Sequence, residues 1–248
     1  MILSFPEMLG DAELICGDCK DWTGQADCII TDPPYGETSL AWDTLCHQWP
    51  RLAPQWLRPG GSMWVFGSLR SFMASAQSFA GWSQAQDVLW EKHNGTNAFN
   101  DRFRRVHEHA VQFYQGVWSD VYKQPLFTND ATARAVRRKN RPTQWGDIGA
   151  ASYVSHDGGP RLMRSVMFAR SCHGSAVHPT QKPVDILKPL IEYSCPPGGT
   201  VLDPFMGSGS TGVAALQLGR RFIGIELNPD YVAVARERLN NEWSGAQP

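Results

Sequence analysis

Thr200-Val201-Leu202-Asp203-Pro204-Phe205-Met206-Gly207-Ser208-Gly209-Ser210-Thr211-Gly212 decides the fold. A short β-branched run ends at an acid, a proline and a glycine-rich stretch. A helical pattern over about 208–218 follows, then a strand pattern, Arg221–Glu226. Strand, tight turn and helix in that order are the first unit of a parallel sheet covered by helices. The spacing of Gly207, Gly209 and Gly212 fits GxGxxG, and Glu226 ends the next strand 19 positions after Gly207. Taken alone, this matches a dinucleotide-binding fingerprint, in which the acid holds ribose hydroxyls. Glycines that merely let helix and strand pack closely would give the same spacing. Two features argue against a dinucleotide. Four residues, Asp203–Met206, separate the strand from the first glycine, and an acid beside the loop repels a pyrophosphate while suiting an ammonium.

Working outward, the residues before this segment repeat the alternation. Glu13–Cys16, Asp27–Thr31 and Ser62–Gly67 read as short strands, as do Gln86–Glu91 and His109–Gln115. Helical patterns cover about 44–58, closed by Pro59-Gly60-Gly61, and about 69–81. Another runs from Pro183 to Ser194, and a last one starts near Pro229. Periodicity fails from about 117 to 177, too long for a simple connection, so an inserted functional module is expected there.

The chain has 248 residues and a net charge of −1. The charge is uneven: residues 92–190 carry 15 Lys/Arg against 7 Asp/Glu, leaving 8 against 17 elsewhere. A basic middle flanked by acidic blocks suits a polyanion on one face and a cation on another. No apolar run approaches membrane-spanning length and no signal peptide is visible, so a cytoplasmic protein with no membrane partner is expected. Of six cysteines only Cys16 and Cys19 have metal-like spacing, and nothing completes a site, so no metal is expected.

Asp32-Pro33-Pro34-Tyr35 follows the apolar run 27–31. Two prolines stiffen the loop and remove two N–H donors. What remains is an acceptor-rich corner, the Asp32 carboxylate and two proline carbonyls, beside an aromatic ring. It suits an exocyclic base amine, a poor nucleophile because its lone pair is delocalised into the ring. Accepting both N–H hydrogens frees that pair, and Tyr35 can stack on the base. A rigid surface turn with a capping Asp would look the same.

Together these segments resemble the amino-methylating DNA methyltransferases. The Asp32–Tyr35 corner comes first and the 203–212 loop last, as in the permuted β class. His178-Pro179-Thr180-Gln181-Lys182-Pro183 resembles that group's carboxy-terminal motif, and Gly17-Asp18-Cys19 another short one. Trp90-Glu91-Lys92 and Arg105–Glu108 stand where the family has weaker signatures. The resemblance implies a seven-stranded mixed α/β sheet of the S-adenosylmethionine-dependent methyltransferase (Rossmann-like) type, in circularly permuted motif order, with one antiparallel strand near an edge. It divides the chain into a catalytic half (1–116), a target-recognition insertion (117–177) and a cofactor half (178–248). It implies S-adenosylmethionine as cofactor, double-stranded DNA as substrate, base flipping, and a homodimer as an open option.

By residue, the resemblance assigns Asp32, Pro33, Pro34 and Tyr35 to catalysis. Glu226 would accept from the ribose hydroxyls, and Asp18 with Cys19 would meet the cofactor's adenine. Asp203, Pro204, Phe205, Gly207, Gly209, Ser210 and Thr211 would hold the methionine half, with Asp203 facing its ammonium. Thr180 and Lys182 would reach its carboxylate. Asn228 is a contact or a helix cap. Arg102, Arg104, Arg105, Arg134, Arg137, Arg138, Lys139 and Arg141 are expected on DNA, mostly at phosphates. Trp42 either covers the flipped base or sits in the core. A DPPY loop points to adenine N6; cytosine N4 is the alternative. A nucleotide-dependent oxidoreductase or a non-catalytic DNA-binding protein are the readings from other classes.

Overall fold

The computed structural model describes residues 6–96, 101–138, 151–172, 174 and 181–245. In chain order the elements are β1 (Glu7–Leu9), β2 (Ala12–Cys16), β3 (Ala26–Thr31), α1 (Trp49–Trp56), β4 (Leu57–Gly67), α2 (Leu69–Ala74), β5 (Ser83–Thr96) and β6 (Arg105–Tyr114). Then come β7 (Phe127–Thr128), β8 (Arg134–Arg138), β9 (Ala151–Ser155), β10 (Arg161–Leu162), β11 (Val166–Phe168), α3 (Val184–Ser194), β12 (Thr200–Asp203), α4 (Ser210–Gln217), β13 (Arg221–Glu226) and α5 (Pro229–Gly245).

The main sheet has nine strands, not the expected seven, in the order β1-β2-β13-β12-β3-β4-β6-β5-β11. Seven central strands carry the pattern read from the sequence. The two additions are three-residue edges, too short to show a period. β1 folds back antiparallel on β2, pairing Glu7 with Leu14, and β11 lies parallel to β5, pairing Val166 with Leu89. Antiparallel strands are therefore two: β6, as expected near one end, and β1.

β12 lies inside the sheet, parallel to β13 on one side and β3 on the other. The glycine-rich loop and the Asp32–Tyr35 loop thus leave neighbouring strands at the same edge of the sheet. That edge, outside the carboxyl ends of parallel strands, is where open α/β sheets bind ligands.

Alternating side chains feed two cores. Cys28, Ile30, Trp64 and Phe66 face one side with Ile186, Leu190 and Leu239. Ile29, Met63 and Val65 face the other with Trp49 and Trp56. Period-2 alternation between two buried faces is what a helix-covered sheet requires. Gly212 holds one helix against the sheet: a Cβ there would stand 2.7 Å from Phe222 and 2.9 Å from Leu239. Gly212→Ala is expected to cost about 2 kcal/mol by overpacking. Thermal unfolding should show a melting temperature lower by roughly 4–8 °C; an unchanged value would mean that α4 shifts freely.

Three local expectations are corrected. Residues 44–48 are not helical, and α1 starts at Trp49 with Pro50 in its first turn. The stretch before it belongs to a loop gathered by Asp43. Pro59-Gly60-Gly61 does not end a helix but bulges the start of β4: pairing with β3 shifts between Ala26 and Cys28, and Gly60 has φ +81°. The helix expected over 69–81 stops at Ala74 and continues as a 3-10 turn, Ala76–Phe79.

The chain forms two compact units, 1–124 with 165–248, and 125–164. The second holds two antiparallel ladders, β7 with β10 and β8 with β9. This stretch read as irregular because its strands span two to five residues and leave Phe127, Tyr153, Val154 and Leu162 exposed, so no apolar alternation forms. Among the described residues no helix is long and apolar enough to cross a membrane.

Candidate active site

The glycine loop is tied together by two acids. Asp203, at the end of β12, is buried. Its carboxylate accepts from Thr31 Oγ1 at 2.8 Å, Phe205 N at 3.1 Å and Thr211 Oγ1 at 2.7 Å. Burial pushes this acid up to about 7 against those hydrogen bonds. Glu226 accepts from Gly207 N at 3.0 Å and Asn228 N at 2.9 Å, and burial raises its pKa too. Gly209, at φ +74°, is the turn residue before α4. Asn228 is built as a cap: its Oδ1 accepts from Asp230 N at 2.9 Å at the start of α5.

The second loop leaves β3. Asp43, absent from the residues singled out in the sequence, gathers it by accepting from Tyr35 N at 2.9 Å, Gly36 N at 2.8 Å and Thr38 N at 2.7 Å. Burial acts to raise this carboxyl, but those N–H donors hold it below its ordinary value. Glu37 takes hydrogen bonds from the Ser68 hydroxyl and from Arg105, the latter at 2.8 Å. Tyr35 lines an apolar recess of about 30 Å³ with Pro33, Trp49, Phe66 and Phe72.

Asp32 stands at the junction. Its Oδ2 accepts from the Lys182 ammonium, while Oδ1 is buried and has no hydrogen-bond partner among the described residues. Burial raises the Asp32 pKa, Lys182 opposes that, and Glu108 adds to it. Lys182 also lies 3.4 Å from Glu108, whose other oxygen accepts from Lys92. Glu108 is buried, yet the two lysines hold it down at about 2. Lys182, expected at the methionine carboxylate, thus has its ammonium on Asp32 and Glu108.

One cavity of about 360 Å³ joins the two loops. Asp32 and Pro34 line it from the loop after β3, and Asp203–Ser208, Ser210 and Thr211 from the loop after β12 and the start of α4. Asp18, Cys19, Lys182, Glu226 and Asn228 complete it, so most of the expected site residues converge. Pro33 and Tyr35 line the adjoining recess instead. Burial pushes the Cys19 thiol up to about 12, which keeps it a neutral wall. Trp42 is 38% exposed at the rim, edge-on to Tyr231 with ring centres 6.4 Å apart, so a core role does not hold. Among the described lining residues Lys182 is the one Lys or Arg, against Asp18, Asp32, Asp203 and Glu226.

The expected DNA residues fall in both compact units. Arg102 pairs with its neighbour Asp101, Arg104 is exposed, and Arg105 is engaged by Glu37. Arg134 is exposed at the start of β8; Arg137 and Arg138 end that strand. Thr180, Lys139 and Arg141 lie outside the described residues.

The N6/N4 methyltransferase family model, described as DNA methylase, matches residues 26–237. The type II methyltransferase M2.DpnII of Streptococcus pneumoniae is 30% identical, over 87% of this chain and 83% of its own length. The type II methyltransferase M2.LlaDCHI of Lactococcus lactis subsp. cremoris is 29% identical, over 86% and 82%. The crystal structure of the M1.HpyAVI–SAM complex superposes with a TM-score of 0.63 at 25% identity, over 92% of this chain and 100% of that one. PvuII DNA methyltransferase, cytosine-N4-specific, shares the fold at a TM-score of 0.64 and 14% identity, over 94% and 91%. The chain belongs to the N6/N4 DNA methylase family.

Proposed function

We propose that this chain methylates the N6 amine of adenine in duplex DNA, with S-adenosylmethionine as methyl donor and the target base turned out of the stack. One observation carries the reading: the unpartnered Oδ1 belongs to Asp32, which opens on the same cavity as the 203–211 loop and Glu226.

The cavity suits this donor. Its volume is in the range of small-ligand sites. Four acids against one lysine favour a cationic, hydroxyl-bearing ligand and disfavour the pyrophosphate of a dinucleotide. S-adenosylmethionine supplies a methyl group on a positively charged sulfur that leaves readily. Glu226 keeps lone pairs for the ribose hydroxyls beyond the two N–H groups it holds. Asp18 and Cys19 flank the adenine of the cofactor, and Phe205 with the backbone of 203–209 lines the methionine half. Asp203 has one acceptor position left for an ammonium. Thr180 is assigned to the methionine carboxylate.

On the substrate side, Asp32 Oδ1 and the carbonyls of Pro33 and Pro34 accept the amine hydrogens while Tyr35 stacks on the base. Positioning and electrostatics then supply most of the rate. The proton released after transfer goes to Asp32 or to water. The order of the two loops supports the permuted β class, and residues 117–177 are assigned to target recognition. Two copies on a palindromic site would match such an enzyme.

Adenine rests on the DPPY form of the loop; the fold is shared with a cytosine-N4-specific enzyme and does not decide. Nucleoside mass spectrometry of unmethylated DNA after incubation with the protein and labelled donor separates the two. N6-methyladenine is expected; N4-methylcytosine would transfer the mechanism to the other base. Arg134, Arg137, Arg138, Lys139 and Arg141 are assigned to phosphates, with Arg102, Arg104 and Arg105. Neutralising Arg137 and Arg138 together should weaken DNA binding and flatten the plot of log affinity against log salt by roughly 2. An unchanged slope would remove both from the interface.

A further inference from the structure

A row of charges crosses the sheet edge behind the cavity, and the scheme above leaves most of it unused. It starts at Asp32 after β3, passes to Lys182 in the segment before α3, then to Glu108 on β6, and ends at Lys92 on β5. Negative and positive alternate, so the row is neutral. Lys182 is only 7% exposed, and its ammonium lies over the Phe66 ring, 5.4 Å from the centre. Lys92 lies over Trp90 at 4.6 Å. Aromatic faces and carboxylates thus leave both ammonium groups little room to move.

Glu108 and Lys182 are buried and Asp32 and Lys92 half-buried; burying ionised side chains is costly, and a hydrophobic replacement would often serve stability as well. The row therefore calls for another explanation, and its end at the cavity supplies it. Asp32 has two oxygens: Oδ2 is taken by Lys182, and Oδ1 has no partner. An unbraced buried carboxylate would rotate and would tend to hold a proton. A protonated Asp32 offers the amine a hydroxyl in place of an acceptor. Glu108 keeps the ammonium from leaving Asp32, and Lys92 keeps Glu108 ionised.

The geometry points to Lys182 as a positioning residue for the methyl acceptor: clamped by Glu108, its ammonium holds Oδ2 of Asp32 at the cavity and leaves Oδ1 unpartnered, and it does not serve the methyl donor. This rests on the methyl-transfer reading, and it reassigns Lys182 from the cofactor's carboxylate. Asp32 is faced by Lys182, by Glu108 and Lys92 from β6 and β5, by Tyr35 on its own loop and by Asp203 from β12. Removing the Lys182 charge leaves Asp32 among carboxylates, so it should stay protonated to a higher pH.

The test uses full-length Lys182→Met and the charge-balanced double variant Lys182→Met/Glu108→Gln, which removes one cation with one anion. Wild-type transfer to DNA is the control for the methyl-transfer reading itself. With an active wild type, each folded variant should lose about 30-fold or more in kcat. S-adenosylmethionine affinity, measured by calorimetry, should stay within about threefold. The acid limb of the kcat–pH profile should move to higher pH in Lys182→Met. A tenfold loss of donor affinity, with kcat restored at saturating donor, would overturn the assignment in favour of the methionine carboxylate. Wild-type kcat in either variant would overturn it as well.

Discussion

Replacing Asp32 by alanine is expected to lower kcat for DNA methylation by about 10³-fold, comparable to the upper range for deleting one preorganised polar group at a reacting centre. Donor affinity should stay within a few-fold, because the groups assigned to the donor are Glu226, Asp18 and the 203–209 backbone. Asp32 enters the cavity from the loop after β3 and is not among those groups. Its unpartnered Oδ1 is the acceptor assigned to the base amine, so its loss removes an interaction that strengthens as the nitrogen turns toward the methyl group. The variant also frees the Lys182 ammonium, which keeps Glu108 as a partner, so the fold should survive. Single-turnover rates and calorimetric donor binding read the two effects separately. Lost donor binding, with full transfer at saturating donor, would put Asp32 in the wrong half of the site.

The second large effect is expected at a residue that touches neither the base nor the donor in this scheme. Asp43→Ala leaves three backbone N–H groups, those of Tyr35, Gly36 and Thr38, without their acceptor. Hydrogen bonds to a charged group contribute roughly 1.5–3 kcal/mol each, so the loop would not keep its shape. A displacement near 1 Å at a reacting centre costs about 10²-fold in rate, and that is the expected fall in kcat. Asp43→Asn should fall between, since its one remaining side-chain oxygen can still accept from Tyr35 and Gly36. Stopped-flow methylation assays on the two variants give the ranking. Equal, wild-type rates in both would mean that Pro33 and Pro34 alone hold the corner.

The contrast between Asp32 and Asp43 shows what a sequence displays and what it hides. Asp32–Tyr35 and 203–212 were legible because each packs its function into contiguous residues at the end of an apolar run. Their meeting followed from strand pairing: β12 beside β3 puts both loops at one edge. Asp43 was hidden because it acts on backbone N–H groups five to eight positions back, in a loop with no period. Lys182 stands in a recognisable segment, but its partner Asp32 is 150 residues away, so only the folded chain shows which acid it meets. Glu108 and Lys92 were seen as parts of weak signatures and not as one ion pair across β6 and β5.

The same logic covers the fold. Seven strands showed apolar runs or alternation; β1 and β11 are three residues each and take their order from the strands they edge. Pro59-Gly60-Gly61 read as a stop because those residues usually end elements, whereas pairing across β3 absorbs them as a bulge. Arg105 looked like its neighbours Arg102 and Arg104 in sequence. In the structure its guanidinium is on Glu37, next to the corner that Asp43 holds.

A crystal structure with an unreactive S-adenosylmethionine analogue tests the account at its root. Density should fill the cavity with the ribose hydroxyls on Glu226. The sulfur centre should face Asp32 Oδ1 across a gap that one amine nitrogen would fill, near-attack separations being about 3–3.5 Å. An analogue bound with its sulfur turned from Asp32, or seated outside this cavity, would contradict it.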